Sequence, residues 1–299
     1  MKLDFLVIGA QKSATTAVFK YLQPHERLAM PAAKEAPLFV RESSAEEAEE
    51  FMEEHFMNTA GKLRGKATPQ YMCDQLIPAR IHRHNPDIKL IAVLRDPIDR
   101  AWSHYRMNKR RDAEGRDFES AMLASLEPEV LARGRLGSAP SHAHDYESEA
   151  DFYLPWGEYG RILQRYLDFF SRDQLLVIYT SELSQAPAAT LDKILQFLGL
   201  EAGFRPACLG EVVHKGGSER LISKRTVTAI RDFWPVQKIW QRLPDNQKGT
   251  LRYWFEQFNV KTADEPMPLS ESTRALLQVH FAKDAKLLAA LTGRQPYWM

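Results

Sequence analysis

The chain contains few cysteines and almost no net charge. Of its 299 residues only Cys73 and Cys208 are cysteine, without a CxxC pair or the spacing of zinc ligands. This pattern excludes a disulfide scaffold and indicates a reducing compartment. The 40 lysines and arginines nearly balance the 39 acidic residues, for a formal net charge of +1. No overall field therefore attracts nucleic acid or an anionic membrane, and any basic site must be local.

Long apolar runs are also missing. No stretch is long enough to cross a bilayer, and no signal-peptide pattern precedes the first apolar segment. Hydrophobic residues make up 44% and charged residues 26% of the chain, as in an ordinary globular protein. We therefore expect a cytoplasmic protein with one large α/β domain over residues 1–299.

Short apolar segments that read as strands alternate with segments of helical periodicity. The runs 3–9, 88–94 and 174–179 are typical of buried parallel strands, and each precedes a predicted helix. This alternation predicts an open parallel sheet with helices on both faces. The less regular region 111–156 is predicted to be a loop that covers the substrate. The C-terminal part, 219–299, is predicted to be helical.

The first apolar run leads into a short polar loop and a helix that continues to Leu22. Backbone N–H groups of such a loop and helix point at one spot, which the helix dipole makes positive. Lys12 adds a charge there, and Ser13, Thr15 and Thr16 add hydroxyl groups. A phosphate or sulfonate would fit. The alternative is an ordinary strand-to-helix turn with Thr15 as the N-cap.

This loop differs from the P-loop G-x-x-x-x-G-K-[ST], because Ala14 stands where Gly-Lys would begin and the lysine comes early. The sequence Gln-Lys-Ser-Ala-Thr-Thr instead resembles the 5′-phosphosulfate loop of sulfotransferases that use 3′-phosphoadenosine 5′-phosphosulfate (PAPS). The resemblance implies a P-loop-like sheet. It also implies that the phosphosulfate is bound by Gln11, Lys12, Ser13, Ala14, Thr15 and Thr16.

A second motif follows the strand 88–94. Arg95 ends this strand, where a guanidinium faces the ligand crevice of an open α/β sheet and can grip a phosphate with two hydrogen bonds. Together with Ser103 it resembles the 3′-phosphate-binding element of the same family. The alternative is a surface pair of Arg95 with Asp99. The stretch His214-Lys215-Gly216 resembles the Arg-Lys-Gly loop that closes over the 3′-phosphate, with histidine in place of arginine.

The catalytic residues are implied by a third motif. Lys34-Glu35-x-Pro-Leu-Phe resembles the Lys-Glu-x-x-Phe-Phe segment of heparan-type sulfotransferases. Glu35 would then remove the proton of the acceptor, which accelerates a reaction by ~10²–10⁴. Lys34 or Lys66 would orient the sulfuryl group, and Lys12 would stabilise the leaving phosphate. A solvated Lys-Glu pair is the alternative, with His104 and His144 as the next candidate bases.

These motifs predict in-line transfer of a sulfuryl group from PAPS, which leaves PAP, to a hydroxyl or amine of a carbohydrate or small molecule. No metal and no nucleic acid are expected; the aromatic residues of the basic segment 231–258 recur at helical spacing, which favours core packing. Two rivals remain, a kinase with a degenerate P-loop and a non-catalytic nucleotide-binding protein. The acceptor and the oligomeric state stay open.

Overall fold

A computed structural model describes residues 1–32, 34, 38–40, 42, 44–111, 113–136, 149–211, 218–220, 230, 233, 260–262 and 267–299. Its centre is a parallel sheet in the spatial order β2-β3-β1-β4-β5. The strands are β1 (Phe5–Gly9), β2 (Leu28–Ala29), β3 (Leu63–Ala67), β4 (Lys89–Leu94) and β5 (Leu175–Tyr179). The connection after β1 leads to β2 at one edge of the sheet, whereas the connection after β4 leads to β5 at the opposite edge. The carboxyl ends of β1 and β4 therefore form the crevice where such sheets bind ligands.

Helices cover both faces of the sheet. They are α1 (Thr15–Leu22), α2 (Ala45–Phe56), α3 (Ile77–His84), α4 (Pro97–Arg110), α5 (Phe118–Ser125), α6 (Pro128–Leu136), α7 (Tyr159–Leu167), α8 (Thr180–Gln185), α9 (Pro187–Leu198) and α10 (Glu271–Thr292).

Alternate residues of β1 enter two different apolar cores. Phe5 and Val7 pack with α1 and α9 on one face, whereas Leu6 and Ile8 pack with α2, α3 and α7 on the other. A strand buried on both faces reads as a continuous apolar run. The predicted fold class, an open parallel sheet flanked on both sides, is confirmed.

The region 111–156 is more regular than predicted. It contains α5, α6 and two 3₁₀ turns, Glu149–Phe152 and Pro155–Gly157. Phe118 and Met122, one helical turn apart, pack in a third apolar core with Tyr105 of α4 and Leu277 of α10. This packing stabilises helices that the local pattern does not indicate. Residues 137–148, with His144, lie outside the described residues.

The helical prediction for 219–299 is wrong at its start and right at its end. Strand β6 (Ser218–Arg220) pairs antiparallel with β7 (Val260–Thr262), a long-range contact that local periodicity does not reveal. The last helix, α10, is N-capped by Ser270, whose Oγ accepts a hydrogen bond from the Thr273 N–H at 3.2 Å. Within the described residues, no helix has both the length and the apolar character needed to cross a membrane.

Candidate active site

The loop between β1 and α1 holds an open helix N-terminus at the crevice. Ala14 is the N-cap of α1 in a left-handed conformation (φ 60°), and Lys12 is also left-handed (φ 69°). No side chain caps the helix, and its first turn contains no acidic residue. Thr15 is therefore the first helical residue and not the N-cap. Such a turn leaves backbone donors for an anion.

The turn after β3 contacts the beginning of this loop. A Cβ atom at Gly9 would lie 2.7 Å from Cβ of Met72 and 2.9 Å from the carbonyl oxygen of Pro69. Only glycine allows this approach. The 3₁₀ turn Pro69–Met72 is thereby fixed beside the loop.

The charges of four arginines act on Lys12 in the loop. Burial and then the charges of four arginines lower the pKa of Lys12 from 10.5 to about 8. These arginines come from the end of β4 and from α4 and its C-terminus: Arg110, Arg111, Arg95 and Arg100. A chain of nearly zero net charge thus concentrates positive charge at the crevice, which suits a polyanion.

A buried hydroxyl in the same loop also fits a ligand. Ser13 is fully buried beside Tyr159, and its Oγ has no hydrogen bond of normal geometry. A buried polar group without a partner is costly. The Ser13 hydroxyl, the uncapped helix and the positive charge around Lys12 together suit an anion.

Arg95 follows β4 at the same crevice, and Ser103 lies within α4. Asp96 caps α4 by accepting the N–H groups of Ile98 (2.8 Å) and Asp99 (3.1 Å). The alternative pair is also present, since Nη2 of Arg95 lies 3.4 Å from Oδ2 of Asp99. Both side chains are partly exposed, so this pair contributes less than ~1 kcal/mol and leaves further guanidinium donors. Ser103 lies one turn beyond Asp99 on the same helix face.

The C-terminal segment touches this strand end, which the sequence analysis did not foresee. The Tyr297 hydroxyl accepts the backbone N–H of Asp96 at 3.0 Å and lies 3.2 Å from Oγ1 of Thr180. Trp298 packs against Tyr159 and Tyr179. The chain around Arg95 is thus supported by residues far away in the sequence.

A buried network lies beneath the loop. Arg100 and His104 are both fully buried, with Nη1 and Nδ1 3.4 Å apart, and His104 Nε2 lies 3.0 Å from Oε2 of Glu149. Burial lowers the pKa of His104 to about 4, so it is neutral at pH 7. Burial opposes ionisation of Glu149, but His104, Arg111 and Gln11 lower its pKa overall. His104 is therefore enclosed under the loop rather than open to an acceptor.

The remaining predicted residues fall into two groups. Lys34 is partly buried in a turn. Lys66 is fully buried in β3, and its amine donates a hydrogen bond to the Tyr71 hydroxyl. Outside the described residues lie Glu35, His214, Lys215 and Gly216.

The part of the chain that the structure describes contains no cluster of three or more His, Cys, Asp or Glu side chains that could hold a metal ion.

Comparison with known proteins links this geometry to a family. The family model for a sulfotransferase domain matches residues 2–266. Heparan sulfate glucosamine 3-O-sulfotransferase 3B1 of Mus musculus is 25% identical over 252 residues, which cover 77% of this chain and 60% of that protein. The mouse bifunctional heparan sulfate N-deacetylase/N-sulfotransferase 4 is 29% identical over 203 residues, 66% of this chain and 22% of that protein. The chain thus spans about three fifths of the first curated relatives.

A solved structure shares the whole fold. The sulfotransferase from Alicyclobacillus acidocaldarius superposes with a TM-score of 0.66 at 21% identity, over 99% of this chain and 98% of that one. The match across 2–266, on a sheet with this loop at its crevice, shows that the chain belongs to the sulfotransferase domain family.

Proposed function

We propose that this protein is a PAPS-dependent sulfotransferase. The observation that carries the proposal is the uncapped N-terminus of α1 in the crevice between β1 and β4, preceded by a left-handed loop at Lys12 on which the charges of four arginines act. Family membership supports sulfuryl transfer as the reaction. PAPS supplies the sulfuryl group on a phosphosulfate that carries several negative charges, which these positive charges match.

Each loop residue then has a role. Lys12 offsets the charge that develops on the leaving phosphate as the S–O bond breaks. The phosphosulfate is held by the backbone N–H groups of the loop and by the hydroxyl groups of Ser13, Thr15 and Thr16.

Residues outside the loop have the remaining roles. Arg95 and Ser103 bind the 3′-phosphate, a role that Lys215 shares by resemblance. Glu35 takes the proton of the acceptor, and Lys34 orients the sulfuryl group.

Two observations argue against a kinase. The loop lacks Gly-Lys-[ST]. The acidic residue that follows β4 is Asp96, and its carboxylate is engaged as the N-cap of α4. An aspartate at that strand end would otherwise be the natural ligand for magnesium beside a nucleotide.

The names of the relatives suggest the acceptor class. Both mouse proteins are named for heparan sulfate, one as an O- and one as an N-sulfotransferase. We therefore propose a carbohydrate hydroxyl or amine as the acceptor, with a small-molecule hydroxyl as the second candidate.

Calorimetry tests the nucleotide assignment. PAP should bind far more tightly than AMP, because only PAP carries the 3′-phosphate and a charged hydrogen bond contributes ~1.5–3 kcal/mol. Arg95→Ala should reduce this difference about 10- to 100-fold. Arg205→Ala, which removes an exposed arginine paired with Asp192, is the matched control and should leave it unchanged.

Turnover tests the enzymatic assignment. Incubation with PAPS and heparan-type oligosaccharides, followed by mass spectrometry, should detect a mass gain of one sulfuryl group. In the calorimetry experiment, equal affinities of the parent protein for PAP and AMP would refute the assignment of the 3′-phosphate site. PAP binding without turnover on any acceptor offered would favour the non-catalytic nucleotide-binding protein.

A further inference from the structure

Strand β3 and the turn after it hold a buried pair, Lys66 of the strand and Tyr71 of the turn. Both side chains are fully buried. Nζ of Lys66 donates a hydrogen bond to the Tyr71 hydroxyl at 2.6 Å. The same amine lies 4.8 Å from the centre of the Tyr71 ring and 5.2 Å from that of Phe51. Neither side chain is therefore exposed to solvent.

The Tyr71 hydroxyl also binds a separate segment of the chain. It accepts the backbone N–H of Leu38 at 3.0 Å and that of Phe39 at 3.3 Å, and the Phe39 ring packs 5.5 Å from the Tyr71 ring. Three N–H donors from β3 and from residues 38–39 thus meet at one oxygen atom. The bond from the Lys66 ammonium is charge-assisted and therefore fixes the position of this oxygen more strongly than a neutral donor would.

This oxygen holds together two parts of the site. The turn of Tyr71 rests on Gly9, where the phosphosulfate loop begins. Leu38 and Phe39 are buried and follow closely after Lys34 in the chain. The Tyr71 hydroxyl therefore links the turn that contacts the phosphosulfate loop to Leu38 and Phe39, which follow Lys34 by four and five residues. Burial also raises the pKa of Tyr71 to about 12, so the phenol is protonated at pH 7 and is not a base.

We infer that Tyr71 is a positioning residue for the transfer step: its hydroxyl, which also binds Lys66, fixes Leu38 and Phe39 against the end of β3 and so anchors the chain four residues after Lys34. The inference rests on the proposed function. A displacement of about 1 Å in a positioned group costs ~10²-fold in rate. Loss of the Tyr71 hydroxyl should therefore lower kcat and leave nucleotide affinity unchanged.

The test removes one oxygen atom. Tyr71→Phe should lower kcat about 10- to 100-fold, while the acceptor KM and the PAP affinity change less than about twofold. Lys66→Met should act in the same direction, because it leaves the phenol without its cationic donor. Amide hydrogen exchange gives a readout without turnover, since protection of the Leu38 and Phe39 N–H groups should fall in Tyr71→Phe.

Tyr166→Phe is the matched control. Tyr166 is also buried, and its hydroxyl donates to the Tyr71 carbonyl oxygen at 2.6 Å, whereas the N–H groups of Leu38 and Phe39 donate to the Tyr71 hydroxyl. We expect Tyr166→Phe to lower Tm about as much as Tyr71→Phe does, but to keep kcat near the parent value. This comparison separates a general loss of stability from a loss of positioning.

The outcomes are distinct. Parent kcat in Tyr71→Phe, unchanged protection of Leu38 and Phe39, or an equal loss of kcat in Tyr166→Phe would each overturn the inference and leave the proposed function intact. Loss of PAP binding in Tyr71→Phe would also overturn it, because the residue would then support the whole fold. A parent protein without PAP preference and without turnover would overturn the proposed function, and the inference with it.

Discussion

At the scale of single residues, the charge on Lys12 depends on what occupies the crevice. Burial and the neighbouring arginines lower its pKa to about 8 in the free protein. A bound polyanion supplies the opposite charge and should return the pKa toward its ordinary value near 10.5. Nucleotide binding and proton uptake are therefore linked.

We predict that PAP binding takes up a proton between about pH 8 and pH 10. Below pH 8 Lys12 is already charged in both states, so affinity should be nearly constant. Above pH 8 affinity should fall, by up to about tenfold per pH unit. Calorimetry at pH 9 in two buffers of different ionisation enthalpy measures the uptake, which Lys12→Met should abolish.

The same residue predicts how stability varies with pH. Because the folded pKa is lowered, the unfolded chain binds more protons between about pH 8 and pH 10.5, and this group makes the free energy of unfolding rise with pH there. For the binding prediction above, the contradicting result would be a parent protein that binds PAP with equal affinity at pH 7 and pH 9.5 and takes up no proton. Lys12 would then not have the environment assigned to it.

At the scale of secondary structure elements, the loop between β1 and α1 stores backbone strain. Lys12 and Ala14 both have positive φ although neither is glycine, at a cost of ~1–2 kcal/mol for each residue. Residues of this kind turn successive N–H groups toward one point, which favours an anion. The strain thus accompanies the predicted binding loop.

Ala14→Gly should raise the free energy of unfolding by up to about 1 kcal/mol. Glycine removes the steric cost of positive φ but loses ~0.5–1 kcal/mol of chain entropy. Ala17→Gly, within α1, is the matched control and should lower stability by about 1 kcal/mol. Urea denaturation measures both, and a loss of stability in both variants would contradict the left-handed conformation of Ala14.

At the scale of the whole molecule, the C-terminal helix completes the fold by docking on α7. The Asp284 carboxylate of α10 accepts the N–H groups of Gly160 and Arg161, each at 2.8 Å, and so caps the start of α7. A Cβ atom at Gly160 would overlap the Asp284 carbonyl oxygen and lie 2.9 Å from the Leu288 nitrogen. The two helices touch through backbone atoms at this point.

Gly160→Ala should therefore destabilise the protein by roughly 1–3 kcal/mol, since a packed interface cannot absorb a methyl group against backbone. The matched control is Gly115→Ala, where a Cβ would meet nothing within 4 Å and φ is not positive. Thermal unfolding should show a clear fall in Tm for the first variant alone. Equal Tm values would mean that α10 does not dock on α7 in this way.

Local patterns in the sequence were sufficient for most of the framework. The apolar runs of β1 and β4, the N-cap Asp96 and the C-cap Gly199 all act through neighbours within a few residues, so the chain itself reveals them. The loop at Lys12 and the family could be predicted for the same reason, because the motif is contiguous.

The tertiary structure alone decided which distant groups meet. The charges of Arg110 and Arg111 act on Lys12 although about a hundred residues separate them in the chain. The hydrogen bonds from Leu38 and Lys66 to Tyr71 join segments that no local period relates. The helices within 111–156 and the β6–β7 pair likewise depend on long-range packing. The sequence by itself determined features that depend on neighbouring residues, such as strands, helix caps and the contiguous loop motif. The positive charge around Lys12 and the hydrogen bonds to Tyr71 depend on distances in space between remote residues, and only folding sets those distances.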